Sequence, residues 1–233
     1  MELFDKYRYN TKDKLNNFEK FISRQSMSRF LARYELFKKT LEVKGSIVEC
    51  GVHFGGGLMA WAKLSSALEP YAIHRKIIGF DTFDGFPDVS KKDLKSTTHD
   101  ELKKDGFQSH NLIYNELEDS ILEYDKNRFL NQFEKVELLK GDANETIPKY
   151  MEENQHLIIS LLFLDFDLYE PTKTALEHFL PRMPKGSIIA FDEVNNKFWS
   201  GETMAMVEKF KSLNNIELKK FQFDPNIAYA VIK

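Results

Sequence analysis

The sequence predicts an α/β fold: a doubly wound, mostly parallel seven-stranded sheet preceded by an N-terminal helical extension. Three observations predict it. Five short apolar runs alternate with helix-periodic segments, the pattern of strand–helix–strand units that bury a parallel sheet on both faces. Each run carries an acid at or just beyond its C-terminal end: Glu49, Asp81, Asp142, Asp165 and Asp192. The first run also passes through a glycine-rich turn into a helical pattern, GSIVECGVHFGGGLMAWAKL, the arrangement by which such sheets let a ligand approach the backbone.

The elements follow in chain order. Residues 1–43 form the helical extension, with Phe18, Phe21, Ile22, Phe30, Leu31, Tyr34, Phe37 and Leu41 near three-and-four spacing and Ser26 or Ser28 as cap. Residues 44–233 form the main domain. Its strands are expected at 46–50, 76–81, 135–140, 157–165 and 186–192. Helices are expected at 116–133, 148–154, 171–180 and 202–213, the third with Pro171 in its first turn. Residues 216–221 and 228–232 flank a turn at Asp224-Pro225-Asn226 and close the sheet as an antiparallel pair. Residues 88–115 are polar, lysine-rich and aperiodic, which reads as a lid-like insertion over a site.

Composition narrows the classes. With 233 residues, 42% apolar and 30% charged, the chain can build one full core. A net charge of −3 gives no electrostatic footprint for nucleic acid or an anionic membrane. The longest apolar run, 157–164, suits a buried strand and not a membrane span. The start, MELFDKYRYNTKDK, lacks the apolar stretch of a signal peptide, and Cys50 is the single cysteine, so a reducing, cytoplasmic setting is expected. The apolar stripe of the N-terminal helices makes a homo-oligomer an expectation.

The strand-end acids carry the chemistry. Asp81, beside the glycine turn, is placed to accept hydrogen bonds from ribose hydroxyls, or else to cap its own turn. Asp165 (in FLDFDLYEPT) and the pair Asp192-Glu193 (in IIAFDEVNN) converge if their strands are neighbours. Three such carboxylates repel unless protonated or neutralised, and hard oxygen donors suit Mg²⁺ or Ca²⁺; solvated strand ends are the alternative. His53 lies inside the glycine turn, and His110 in the lid. Asp167 reads as a helix cap, and Trp199 as core or site wall. No GxSxG, HExxH, GxGxxG or Walker A pattern is present.

The ordered blocks GSIVECGVHFGGG, IIGFDTFDGFP, KGDANETIP and FLDFDLYEPTKTALEHFLPRMPKGSIIAFDEV, with 201–210, resemble the macrocin O-methyltransferases. These are S-adenosylmethionine-dependent enzymes that methylate sugar hydroxyls. The resemblance runs from about Ser26 to the C-terminus. It implies the Rossmann-like class I methyltransferase sheet, seven strands with the last antiparallel. It implies Glu49, Gly51, His53, Gly55 and Gly57 around the methionine part of the cofactor, Asp81 on the ribose, and Asp142 and Ala143 beside the adenine. It further implies Asp165, Asp192 and Glu193 on a divalent metal such as Mg²⁺, with Asp165 also touching cofactor and acting as general base. Many members carry Asp-Asp where this chain has Asp192-Glu193, and residues 88–115 match poorly. The expected activity is metal-assisted O-methylation of a sugar, sugar nucleotide or glycosylated natural product. Catechol-type phenol methylation and a nicotinamide-dependent oxidoreductase are the alternatives, the latter disfavoured by the glycine spacing.

Overall fold

The computed structural model describes residues 3–95, 99–108, 110 and 112–233. Seven strands form one sheet in the order β3-β2-β1-β4-β5-β7-β6: β1 (Ser46–Cys50), β2 (Ile77–Asp81), β3 (Val136–Lys140), β4 (Ile159–Leu164), β5 (Ile188–Phe191), β6 (Lys219–Lys220) and β7 (Ala228–Val231). Strands β1 to β5 pair in parallel, while β7 runs antiparallel to both β5 and β6. The seven-stranded, mostly parallel sheet expected from the sequence is therefore present.

Strand alternation splits the core into two layers. Val48, Ile78, Leu162, Leu164 and Ile189 point to one face, covered by α6 (Ala143–Glu153), α7 (Tyr169–Phe179) and α8 (Ser200–Phe210). Ile47, Ile77, Leu161, Phe163 and Ile188 point to the other, covered by α3 (Arg24–Thr40), α4 (Gly56–Leu68) and α5 (Ile113–Lys126). Each fully buried Ile, Leu or Phe in these layers contributes about 1.5–3 kcal/mol through burial. Helix α3 lies within this core: Ala32, Leu36 and Phe37 are fully buried and pack with α4. Two short helices, α1 (Leu3–Lys6) and α2 (Thr11–Leu15), precede it and bury no residue.

Several boundaries differ from expectation. The cap of α3 is Ser23, whose side chain accepts from the Ser26 amide at 3.0 Å, and not Ser26 or Ser28. Helix α6 starts at Ala143, capped by Asp142, so Pro148 sits inside it; proline favours helix starts, and the sequence reading took it for one. Helix α5 starts at Ile113 and ends at Lys126, ahead of the expected 116–133. In the expected lid 88–115, residues 96–98, 109 and 111 lie outside the described residues. The described remainder holds one 3-10 turn, Asp93–Lys95. Asp93 is 2% exposed and anchors it: one carboxylate oxygen accepts from the Ser90 hydroxyl, the other from the Tyr169 amide at the start of α7. No helix among the described residues is long and apolar enough to cross a membrane.

Candidate active site

Parallel strands leave their C-terminal ends on one edge, and the ladder continues one residue past each strand. The Gly51 amide donates to Phe80, the Asp165 amide to Cys50, the Asp192 amide to Leu164 and the Gly141 amide to Asp81. These bonds fix four loop starts side by side. Above them lies a cavity of about 290 Å³, near the lower end of the roughly 300–1,000 Å³ of ligand pockets.

Gly51, His53 and Asp81 line one part of the cavity, and Asp142, Ala143 and Glu193 other parts of it. Asp165 lines it too, so the edge brings together most of the residues singled out from the sequence. Asp81 organises the first loop. Its Oδ2 accepts from the Val52 and His53 amides at 2.7 and 2.8 Å, and its Oδ1 from the Phe83 amide at 2.7 Å. The turn-capping and ligand roles are compatible: a carboxylate has about four acceptor sites, and one remains. His53, Phe83 and Asp167 all line the cavity with left-handed backbones, φ 51°, 57° and 63°. Each such residue costs on the order of 1–3 kcal/mol, strain that collects at functional sites.

An aromatic wall is built from three separate segments of the chain, by Phe86, Phe107 and Trp199. Phe107 packs against Phe86, Trp199 and His53, and the Phe86 amide donates to Gly106. Trp199 is thus both a buried residue of a small cluster and a cavity wall. Burial lowers the His53 pKa, partly offset by Asp81. His110 Nε2 lies 3.4 Å from Glu116 Oε2 and is not among the lining residues.

The acidic end is crowded. Burial pushes the Asp165 carboxyl well above the usual carboxylate range, and the charges of Asp192 and Asp167 push it further, against the pull of Arg29. Asp167 and Glu202 are raised for the same first reason, burial. Arg29 answers this charge: its Nη2 lies 2.5 Å from Asp192 Oδ2 and 3.4 Å from Asp165 Oδ2. Glu193 turns elsewhere, accepting from the Asn196 side chain, and its amide donates to Glu202 at 3.0 Å. Among the described residues no three acidic, histidine or cysteine side chains stand together as ready metal ligands. The expected trio is thus split: Asp165 and Asp192 meet, while Glu193 stands off on Asn196.

Other residues singled out from the sequence lie outside the cavity lining. Glu49 does not border the cavity; it is 1% exposed beneath α3 and α4, with Arg33 at 3.9 Å. Its place in β1 explains this. Glu49 shares the face of Ile47, so its side chain enters the helix-covered layer and not the strand edge. Gly55 and Gly57 are likewise absent from the lining: a Cβ at Gly55 would meet Leu117, and one at Gly57 would meet the Glu49 carboxylate. They serve close packing of α4. Asp192, 3% exposed, sits behind Arg29 and is not a lining residue.

Burial pushes Glu49 up to about 7 from 4.5. A carboxyl with a raised folded-state pKa stabilises the fold fully below its unfolded value and loses that contribution as pH rises through the folded one. At 1.36 kcal/mol per pKa unit the shift amounts to roughly 3 kcal/mol. Urea unfolding from pH 4.5 to 8 should therefore show stability falling with pH, and Glu49→Gln should shrink that slope. An unaltered slope in the variant would assign the dependence to the other raised acids.

Arg29 and Arg33 were missed from sequence, although a signal was there. They stand four residues apart on the same stripe of α3 as Ala32, Leu36 and Thr40, all of which turn inward. Two arginines on a core-facing stripe require acids to meet them, and both find strand acids.

Comparison with known proteins agrees with this geometry. A sequence profile of the macrocin-O-methyltransferases (TylF) matches residues 2–230. The crystal structure of CalS11, a calicheamicin methyltransferase, superposes with a TM-score of 0.93 at 35% identity, covering 98% of this chain and 88% of that one. The apo structure of CalS11, described as a TDP-rhamnose 3'-O-methyltransferase of calicheamicin biosynthesis, superposes at 0.84 with 32% identity over 98% and 89% of the chains. A Streptomyces olivaceus 8-demethyl-8-(2,3-dimethoxy-α-L-rhamnosyl)-tetracenomycin-C 4'-O-methyltransferase is 27% identical over 152 residues, 65% of this chain. The chain spans about half, 53%, of that relative's length. With a family profile matched over nearly its whole length and a sheet of the class I methyltransferase kind, the chain belongs to the macrocin O-methyltransferase family.

Proposed function

We propose that the protein is an S-adenosylmethionine-dependent O-methyltransferase acting on a hydroxyl of a sugar, sugar nucleotide or glycosylated natural product. The observation that carries this reading is the cavity itself: the glycine turn, Asp81 and Asp165 brought together along one strand edge, in a chain of this family. In it the ribose takes the remaining acceptor capacity of Asp81, the adenine lies by Asp142 and Ala143, and the methionine part lies by Gly51 and His53. The sulfonium then faces the acids, whose field favours a cation.

Chemistry at the other end follows from Asp165. The acceptor oxygen attacks the methyl carbon; the C–S bond breaks with its electron pair going to sulfur, and the hydroxyl proton passes to the Asp165 carboxylate. A carboxylate within reach of the acceptor hydroxyl is the group that can take this proton. Phe86, Phe107 and Trp199 offer apolar faces to the sugar ring and keep water from the sulfonium. Holding donor and acceptor in line supplies the rest.

A divalent ion suits the donor chemistry here. The donors are all oxygens, Asp192 Oδ1 is buried without a partner, and Asp165, Asp167, Asp192 and Glu193 all feel the charge of Arg29. Asp165, Asp192 and Glu193 would hold it, Glu193 after leaving Asn196. When bound, the ion lowers the pKa of the acceptor hydroxyl.

The test is methyl transfer from labelled S-adenosylmethionine to TDP-rhamnose and to catechol, each with and without EDTA. Transfer to the sugar nucleotide, lost on chelation and absent with catechol, is the expected result. Full activity in EDTA removes the metal, and transfer to catechol alone replaces the acceptor class. S-adenosylmethionine should raise Tm where NAD leaves it unchanged.

A further inference from the structure

Arg29 reaches the acidic edge from the N-terminal helix and stops at an informative point. Its Nη2 is 2.5 Å from Asp192 Oδ2 and 3.4 Å from Asp165 Oδ2. A magnesium-sized ion needs its oxygen ligands at about 2.0–2.1 Å. A guanidinium nitrogen 2.5 Å from Asp192 Oδ2 competes for that same oxygen, and two cations at such range repel. Arg29 has somewhere to go, because its side chain is 28% exposed and lines the cavity. Arg33, four residues on, is 14% exposed and keeps to Glu49. Meanwhile the second oxygen of Asp192, in a residue 3% exposed, has no partner at all. The guanidinium therefore offsets part of the charge of the carboxylate pair without satisfying it.

We propose that Arg29 is the edge's built-in exchangeable cation: it holds Asp165 and Asp192 together when no divalent ion is bound, and is displaced into the cavity when one binds. This rests on the reading above that Asp165 and Asp192 take such an ion. Two consequences follow. Arg29 weakens the apparent affinity for the ion, because binding must first break its pairing. It also stabilises the metal-free fold, because the buried Asp192 carboxylate and the half-buried Asp165 carboxylate would otherwise repel.

The experiment measures Mn²⁺ binding by electron paramagnetic resonance in the wild-type chain, Arg29→Met and Arg29→Lys, with thermal melts of each chain metal-free and at saturating Mn²⁺. Arg29→Met should bind one Mn²⁺ at least about tenfold tighter than wild type, the result of removing a competing unit charge at hydrogen-bond range. Arg29→Lys, with a shorter reach and no planar fork, should fall between them. Metal-free Arg29→Met should melt below wild type, and Mn²⁺ should close that gap. If wild type binds Mn²⁺ and neither variant binds it tighter, the exchange is wrong while the metal reading stands. If no chain binds Mn²⁺, both fall. Should Arg29→Met fail to fold without metal, Arg29→Lys carries the affinity comparison.

Discussion

Replacing Asp165 by asparagine should lower kcat for methyl transfer by about 10²–10⁴-fold, the usual worth of a general base, while S-adenosylmethionine binding changes little. Asparagine keeps the shape of the side chain and its place at the β4 edge, but cannot take a proton. The effect on stability should have the opposite sign. Asp165 is pushed up by burial first and then by Asp192 and Asp167, so its charge is resisted by its surroundings. A neutral side chain relieves that repulsion and gives up only the longer of Arg29's two contacts, at 3.4 Å. Tm should therefore hold or rise as turnover collapses, a pairing that a misfolded variant cannot imitate. A variant retaining more than a third of wild-type kcat would move the base elsewhere, with Asp167, two residues on and also lining the cavity, next in order.

What the sequence made legible follows from period. Strands that are apolar on both faces stand out as runs, and an acid closing such a run has nowhere to go but the strand edge. Asp81, Asp142 and Asp165 were found that way and do line the cavity. Glu49 sits off the cavity lining because it precedes the end of its strand by one residue, and one residue reverses the face. Arg29 escaped because a helix stripe records which side turns inward, not what waits there. The partner of Arg29 lies 136 residues along the chain at Asp165 and 163 along at Asp192. Only the sheet order β1-β4-β5, with α3 across it, joins them. The aromatic wall of Phe86, Phe107 and Trp199 was not legible, because it comes from segments that no periodicity links.

Gly51→Ala should damage fold and site together. Gly51 has φ 92°, where an L side chain is strained, and a Cβ built there stands 2.0 Å from the backbone oxygen of Asp165. That neighbour is main chain held in the strand-end ladder by its own amide bond to Cys50, so it cannot swing aside. Backbone strain of about 1–2 kcal/mol adds to overpacking of about 1–3 kcal/mol. At roughly 2–4 °C per kcal/mol for a chain this size, Tm should fall by about 5–15 °C. Because the displaced atom belongs to Asp165, the surviving folded fraction should also lose kcat, through a base moved out of line. Gly56→Ala is the control. It lies a few residues on, at the start of α4, and a Cβ there meets nothing within 4 Å. Alanine in an open helical position stabilises by about 0.4–1 kcal/mol through the unfolded chain, so Tm should rise slightly and turnover stay. If the two variants melted and turned over alike, the glycine at 51 would not be what holds β1 and β4 at the distance the base requires.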